Sequence, residues 1–173
     1  IGFVVIAELL KVGTKQRQWT LHTRTMLLGT LLFLSFGTVL FLLLEPNSGV
    51  LEAFFQSVTA RTAGFNTVDL AAWGTPSAIV FMFLMFVGAG PASTAGGIKI
   101  TTFFGTLADV VSRMKQREYT HWLNRRLPAK LVNNSVVLFG LALFVAGSFT
   151  FLLTITETAP LEVILFEVFS ALG

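Results

Sequence analysis

The chain has 173 residues, of which 54% are hydrophobic and only 12% are charged, about half the charged share of a typical soluble domain. It contains no cysteine, which excludes disulfides and thiolate metal sites. The net charge is +3 and most of the basic residues are concentrated in two stretches, a pattern typical of short cytoplasmic loops between membrane spans.

The first basic stretch lies between two apolar runs. Residues 1–11 are mostly apolar, with Glu8 and Lys11 as the charged exceptions, and are predicted to be the end of a preceding transmembrane helix, so we expect the chain to be an internal piece of a longer protein. Residues 12–24 are predicted to form a cytoplasmic loop. Residues 25–44 follow with twenty uncharged residues, enough for a helix to cross about 30 Å of hydrocarbon.

The next segment, residues 50–60, is too short to cross a membrane, at about 16 Å as a helix. Because both basic stretches should be cytoplasmic, the number of crossings between them must be even. We therefore predict that residues 50–60 enter from the outside and return as a re-entrant helix. A helix lying flat at the interface is the alternative that this count leaves open.

A long apolar stretch at residues 75–112 contains 38 residues, and one straight helix of that length would reach about 57 Å. Its middle, residues 88–97, holds four glycines and a proline, which favour a break. Two half-helices joined by a loop would fit one crossing. Because irregular backbone at membrane depth is tolerated where it lines a cavity, this break indicates a transport pathway.

The second basic stretch, residues 113–130, is predicted to be cytoplasmic and either to fix orientation only or also to dock a soluble partner or anionic lipid. It adjoins a membrane span on each side, which argues against nucleic-acid binding. The residues expected to contact a cytoplasmic partner are Arg113, Lys115, Arg117, Arg125 and Arg126.

The pattern of span and short helix then begins again. Residues 131–153 are predicted to be a transmembrane helix and residues 161–172 a second re-entrant helix. One unit is thus complete over residues 25–112, and residues 131–173 begin another. Internal repetition of this kind is common in transporters and channels.

Residues 61–67, which follow the first short helix, have the character of a cation filter. Backbone carbonyls can replace the water shell of an ion, and Gly64 supplies a dihedral setting that other residues resist. The C-terminal, negative end of the helix would also favour a cation. The alternative is an ordinary extracellular turn. Arg61 would either tune ion occupancy or brace the filter through carbonyl or carboxylate contacts, or else be a solvated charge at the outer mouth.

The break in the long stretch has a composition suited to a gate. Small residues let the backbone pass close to the ion axis, and Ser93 and Thr94 can bond freed backbone groups. Lys99 lies about 21 Å along a helix from Arg113 and is therefore deep, which is a functional indication. It would bond loop carbonyls, repel cations in a closed state, or simply snorkel to the interface.

Two stretches, SVTARTAGFNT at 57–67 and GAGPASTAGGIKITTF at 88–103, together with FEVFSALG at 166–173, resemble the Trk/Ktr/HKT superfamily of potassium transporters, in particular the membrane subunit of bacterial Ktr/Trk systems. The resemblance implies an all-α membrane protein built from repeats of transmembrane helix, re-entrant pore helix, filter strand and transmembrane helix, of which this chain is a fragment. Four such repeats would surround one potassium-channel-like pore.

The resemblance also implies roles for particular residues. The third filter strand, which would bind potassium through backbone carbonyls, corresponds to Thr62, Ala63, Gly64 and Phe65. The intramembrane gate corresponds to residues 88–99, with the expected gate residues Gly88, Gly90, Pro91, Ser93, Thr94, Gly96, Gly97 and Lys99. The family implies a homodimer of the full-length subunit in the bacterial cell membrane and a cytosolic ring of nucleotide-binding regulatory subunits.

The resulting hypothesis is gated potassium transport without covalent chemistry and without a cofactor, with sodium as a further candidate ion. The main alternative is an alternating-access carrier that uses the broken helix as its substrate site. The two units run in the same direction, which favours the pore, because inverted repeats would favour the carrier. No constellation of catalytic side chains lies at membrane depth in the sequence, so an enzyme is not expected.

Overall fold

The computed structural model describes residues 2–13, 18–61, 64–65, 73–93 and 95–173. Over these ranges the chain is mostly helical, in agreement with the predicted class. The elements are α1 (Phe3–Val12), α2 (Leu21–Leu44), α3 (Val50–Thr59), α4 (Thr75–Phe86), α5 (Ile100–Met114), β1 (His121–Trp122), β2 (Arg125–Arg126), α6 (Ala129–Thr156) and α7 (Leu161–Leu172).

Two helices, α2 and α6, are long and apolar enough to cross a membrane. Their outer faces are covered with bare hydrocarbon side chains: Leu31 on α2 is 70% exposed and Phe144 on α6 is 71% exposed. Continuous apolar surface of this size is unusual on a protein surrounded by water. The exposure therefore suits helices that are surrounded by lipid.

Both long helices extend beyond their predicted bounds. Helix α2 begins at Leu21, four residues before the predicted span, because the Thr20 hydroxyl accepts a hydrogen bond from the backbone N–H of Thr23 and caps the helix. Helix α6 runs over Ala129–Thr156 and exceeds the predicted 131–153 at both ends. The predicted loops at 12–24 and 113–130 are correspondingly shorter, and at α2 it is the Thr20 cap that sets the start of the helix.

Helix α3 lies alongside α2. The Ser57 hydroxyl donates a hydrogen bond to the carbonyl of Leu34 at 3.0 Å, and Gly37 leaves room for Ser57 on the facing surface. Leu34 is ten residues before the end of α2, or about 15 Å along its axis. The C-terminal end of α3 therefore reaches the middle of α2 instead of lying across its end.

Carboxylates join the helix ends on the side where α3 begins. Glu45 Oε1, at the end of α2, accepts hydrogen bonds from the backbone N–H of Gly74 at 3.1 Å and from Ser77 Oγ at 2.6 Å, so it caps the start of α4. Glu162, in the first turn of α7, accepts a hydrogen bond from Thr75 Oγ1 at 2.9 Å. The ends of α2, α4 and α7 are thus tied together.

The second basic stretch contains a β-hairpin where the sequence predicted only a loop. In it, β1 pairs antiparallel with β2, and Trp122 lies opposite Arg125. The two turn residues, Leu123 and Asn124, both have positive φ, at 47° and 60°, which is the type I′ geometry that matches strand twist. The usual Asn-Gly signal for this turn is absent from the sequence, which is why the hairpin was missed.

The core lies where α2, α4 and α5 meet, and it is rich in phenylalanine. The ring of Phe33 on α2 is 5.4 Å from that of Phe103 on α5 in an edge-to-face arrangement, and the rings of Phe33 and Phe83 on α4 are 6.1 Å apart. Edge-to-face pairs are favourable beyond the burial of their area. This packing fixes the two halves of the broken helix against α2.

Candidate functional site: the intramembrane loop and the ends of two short helices

The chain leaves α4 after Phe86 and starts α5 at Ile100, and the residues between them form a loop that closes on itself. The backbone N–H of Ile98 donates a hydrogen bond to the carbonyl of Phe86 at 2.8 Å, and Val87 and Ile98 form a short parallel bridge. Residues 88–97, called the intramembrane loop below, therefore form a closed loop between two neighbouring backbone segments.

Close backbone packing explains why the intramembrane loop is made of small residues. A Cβ added at Gly88 would collide with the carbonyl oxygen of Gly96, and one at Gly97 would lie 2.7 Å from the carbonyl oxygen of Met85. Gly97 also has a φ of 68°, which residues with a side chain rarely adopt. Glycine is therefore required by space at Gly88 and by both space and dihedral angle at Gly97.

Other predicted gate residues bond within the loop. Ser93 Oγ donates to the carbonyl of Gly90 at 2.7 Å, and Lys99 Nζ donates to the carbonyl of Ala95. For Lys99, this contact corresponds to the loop-bonding alternative. Pro91 lies at the turn of the loop next to Gly90, and Thr94 lies outside the described residues.

Arg61 links the end of α3 to the intramembrane loop. Its Nη2 donates a hydrogen bond to the carbonyl of Gly88 at 3.0 Å, and its guanidinium carbon lies 5.8 Å from the centre of the Phe33 ring, within cation–π distance. The side chain is half-buried. Of the alternatives for Arg61, this geometry corresponds to a brace through a carbonyl rather than to a solvated charge.

The end of α7 reaches the same loop. The backbone N–H of Gly97 donates a hydrogen bond to the carbonyl of Leu172 at 2.9 Å. A Cβ added at Gly96 would collide with the carbonyl of Gly173. The C-terminal ends of both short helices, α3 and α7, thus converge on one loop. Helix C-termini carry partial negative charge, so their convergence favours a cation nearby.

The residues after α3 turn back onto it. Gly64 has a φ of 76°, and a Cβ added there would have no neighbour within 4 Å. The backbone N–H of Phe65 donates to Thr59 Oγ1 at 3.0 Å, and Thr59 Oγ1 donates to the carbonyl of Phe65 at 2.6 Å. The predicted filter residues Thr62 and Ala63 lie outside the described residues. The Phe65 carbonyl already accepts one hydrogen bond, from Thr59, and keeps a second lone pair.

The predicted partner-contact residues lie at the far end of α5, away from the intramembrane loop. Arg113 forms an ion pair with Asp109 at 2.7 Å, and Arg126 covers the ring of Tyr119. The remaining three are exposed to solvent: Lys115, Arg117 and Arg125. The site thus divides into a loop region and a basic region that α5 separates by about 22 Å.

Sequence reasoning missed how the hairpin is attached. Trp122 Nε1 donates a hydrogen bond to Thr25 Oγ1 at 2.9 Å, and its ring stacks on Phe104 at 4.8 Å. Asp109 accepts a further hydrogen bond from Thr120 Oγ1 at 3.1 Å. The sequence signal for Asp109 was its position four residues before Arg113, but nothing in the sequence connects Trp122 with Thr25.

The comparisons with known proteins reported below cover nearly the whole chain. The sequence profile of the TrkH family, described as "Cation transport protein", matches residues 4–173. The Ktr system potassium uptake protein B of Bacillus subtilis (strain 168) is 36% identical over 184 residues, covering 100% of this chain and 41% of that protein. The potassium/sodium uptake protein NtpJ of Enterococcus hirae is 34% identical over 187 residues, covering 100% of this chain and 41% of that protein.

Among solved structures, the crystal structure of the potassium transporter TrkH from Vibrio parahaemolyticus superposes with a TM-score of 0.77 at 20% identity, over 100% of this chain and 40% of that chain. At this identity the match concerns the fold. The chain spans about 41% of the length of the curated relatives named above.

Proposed function

This chain belongs to the TrkH family of cation transport proteins, and from that premise we propose that it forms part of the potassium-conducting pathway of a membrane uptake system. The family is one of transporters, and the chain belongs in a membrane. The relatives whose printed names include potassium uptake support potassium as the ion, and the name of the Enterococcus relative keeps sodium as a further candidate.

The pore is supported by two units of the same order and direction. Helices α2 and α3 are followed by the broken pair α4 and α5, and helices α6 and α7 begin the order again. Both short helices carry a glutamate in the first turn, Glu52 and Glu162, and both direct their C-terminal ends to the intramembrane loop. An alternating-access carrier built on inverted repeats would not need this arrangement, so it is not favoured.

In this proposal α3 is a pore helix and residues 62–65 are a filter strand. Potassium would be held by the backbone carbonyls of Thr62, Ala63, Gly64 and Phe65, which replace its water shell. The left-handed backbone of Gly64 and the return of Phe65 onto Thr59 support a strand held by the end of its own helix. The C-terminal dipole of α3 then adds favourable potential for the cation.

The intramembrane loop and Lys99 would form the gate on the cytoplasmic side of the filter. The loop packs closely through its glycines and contacts the ends of α3 and α7. These contacts support a loop whose position depends on both helices. In the full-length protein we propose a multi-pass subunit of the bacterial cell membrane with four repeats, which forms a homodimer. A cytosolic nucleotide-binding ring would contact Arg113, Lys115, Arg117, Arg125 and Arg126, and we expect no nucleic-acid partner.

The single observation that carries the proposal is the convergence of the ends of α3 and α7 on the intramembrane loop. The proposed pore is tested by measuring potassium uptake in a transport-deficient bacterium that expresses the full-length subunit with Gly64→Ser. We expect a higher half-saturating potassium concentration and weaker discrimination against sodium, because a side chain in the left-handed region costs about 1 kcal/mol and shifts the carbonyls of the filter.

Gly13→Ser is the matched control, because Gly13 has a similar φ of 62° and also has no neighbour within 4 Å of an added Cβ, but lies just after α1. It should leave the uptake curve unchanged at equal expression. Identical curves for wild type and both variants would remove Gly64 from the ion path and would contradict the pore.

A further inference from the structure

A groove runs along the surface between α2, α5 and α6, at the end of the bundle that carries the basic hairpin. It encloses about 660 Å³. Its floor includes Phe104 and Gly105 on α5, and its walls include Leu21 on α2 and Leu131 and Leu138 on α6. The walls belong to the two helices whose outer faces suit lipid, so the groove opens toward the acyl chains of a bilayer.

Polarity changes in order along one wall of the groove. Lys130, Asn134 and Leu138 line it and are four residues apart on α6, so they lie on one face with about 6 Å between neighbours. All three are exposed. The stripe thus presents a cation, then an amide, then a hydrocarbon side chain, with increasing depth from the end of the helix.

The mouth of the groove has positive character. His22, on the opposite wall, lines the groove together with Lys130, and among the described residues no carboxylate does. The nearby Asp109 faces away and is already paired with Arg113 and Thr120. Glu8 is a second nearby carboxylate, but it accepts hydrogen bonds from Thr20 and Thr23 and does not line the groove. A ligand entering here therefore meets donors and a cation, and no carboxylate among the described residues that line the groove.

We infer that this groove binds one anionic phospholipid of the cytoplasmic leaflet. The phosphate would bond Lys130 and His22, the glycerol ester carbonyls would accept hydrogen bonds from the Asn134 amide, and an acyl chain would cover the exposed side chains of Leu131 and Leu138. The order of polarity along α6 matches the order of a phospholipid from headgroup to tail, whereas a soluble anion would leave the apolar part of the groove uncovered. Basic pockets between transmembrane helices on this side suit such headgroups.

The test uses the full-length subunit in bilayer nanodiscs with a trace of phosphatidylglycerol that carries a photoactivatable group in its acyl chain. Cross-linked peptides are identified by mass spectrometry, and the matching phosphatidylcholine probe is run in parallel. We expect labelling to concentrate on residues 131–138 and to be stronger for phosphatidylglycerol. Lys130→Gln should lower the affinity about fivefold, the contribution of one basic residue near an anionic headgroup.

Lys115→Gln is the matched control, because Lys115 is an exposed lysine at the end of α5 that does not line the groove. It should leave the labelling unchanged. Leu138→Trp, which fills the apolar part, should abolish the labelling while the folded protein elutes normally from size exclusion.

Equal labelling by both lipids, or equal loss in Lys115→Gln, would overturn the inference. Absence of labelling would also overturn it, since another segment of the full-length subunit would then fill the groove. The inference rests on the proposed membrane orientation, but its readout is binding, so it can fail while the Gly64→Ser experiment succeeds.

Discussion

Arg61 is the residue at which the two parts of the proposed pathway touch. It follows α3 directly, on the filter side, and its guanidinium donates to the carbonyl of Gly88, the first residue of the intramembrane loop. Among the described residues no carboxylate pairs with it, and its Nε is buried without a hydrogen bond there. The hydrogen bond to the Gly88 carbonyl and the cation–π contact with the Phe33 ring therefore hold the half-buried guanidinium in place.

Substitutions of Arg61 distinguish two roles: restraint of the intramembrane loop by the guanidinium, and an effect of its positive charge on the ion. If the guanidinium restrains the loop, both Arg61→Met and Arg61→Lys should raise the maximal rate of potassium uptake severalfold, because neither restores the same reach and planar geometry. If only the charge acts on the ion, Arg61→Met alone should change the half-saturating concentration. Uptake kinetics of the full-length subunit distinguish the two.

Lys11→Met serves as the control for Arg61, because Lys11 is an exposed cation in the last turn of α1, outside the intramembrane loop and the proposed partner contacts. An unchanged maximal rate in both Arg61 variants would contradict the restraint of the loop.

For single residues, the backbone conformation of the glycines could be predicted from the sequence, but side-chain contacts between distant residues could not. The positive φ at Gly64 and Gly97 follows from the general use of glycine in turns. The contact between Arg61 and Gly88 joins residues 27 positions apart and depends on how α3, α2 and α4 pack. No local pattern contains that information, so three alternatives for Arg61 were open until the packing was known.

The broken helix is the element on which the gate hypothesis depends. Val87 and Ile98 lie side by side, and a Cβ on Gly97 would be 3.1 Å from the backbone nitrogen of Gly88. The loop can therefore be shortened without moving α4 or α5 apart.

Deleting residues 90–96 should raise potassium conductance of the full-length subunit, because the shortened connection would no longer obstruct the path below the filter. The measurement is flux into proteoliposomes without the cytosolic partner. Ser93→Ala, which removes only the hydrogen bond to Gly90, is the milder comparison and should have a smaller effect. Wild-type flux in the deletion variant would rule out the loop as the gate.

Elements were predictable where composition determines them. The long apolar runs led to α2 and α6, and the glycine-rich interruption led to the separation of α4 from α5. The ends were less predictable, because Thr20 and its bond to Thr23 start α2 before hydrophobicity becomes continuous. The hairpin was missed because Leu123 and Asn124 adopt a type I′ turn without its usual glycine, and the attachment of Trp122 to α2 and α5 stabilises it instead.

In the part of the chain that the structure describes, carboxylates bond helix ends on one side of the bundle, and the hairpin carries two arginines on the other. Glu45 and Glu162 join helix starts and ends where α3 and α7 begin, and the hairpin carries Arg125 and Arg126 at the opposite end. From the positive-inside tendency we expect the hairpin end to be cytoplasmic.

This orientation is tested by single cysteines in the full-length subunit with its other cysteines, if any, replaced, since the chain itself has none. A membrane-impermeant maleimide added to intact cells should label Asn47→Cys and Glu157→Cys, which are exposed between α2 and α3 and between α6 and α7. Lys115→Cys should be labelled only after the membrane is opened. Labelling of Asn47→Cys and Lys115→Cys from the same side would mean that α3 crosses the membrane.

The attachment of the hairpin has a mechanical consequence. An unstructured connection between α5 and α6 would absorb a displacement by straightening. The hairpin is more constrained, because its turn has only two residues. In addition, Trp122 donates a hydrogen bond to Thr25 and stacks on Phe104. We therefore expect a displacement of the hairpin to be passed to α5, whose first residue lies about 22 Å away, next to the intramembrane loop.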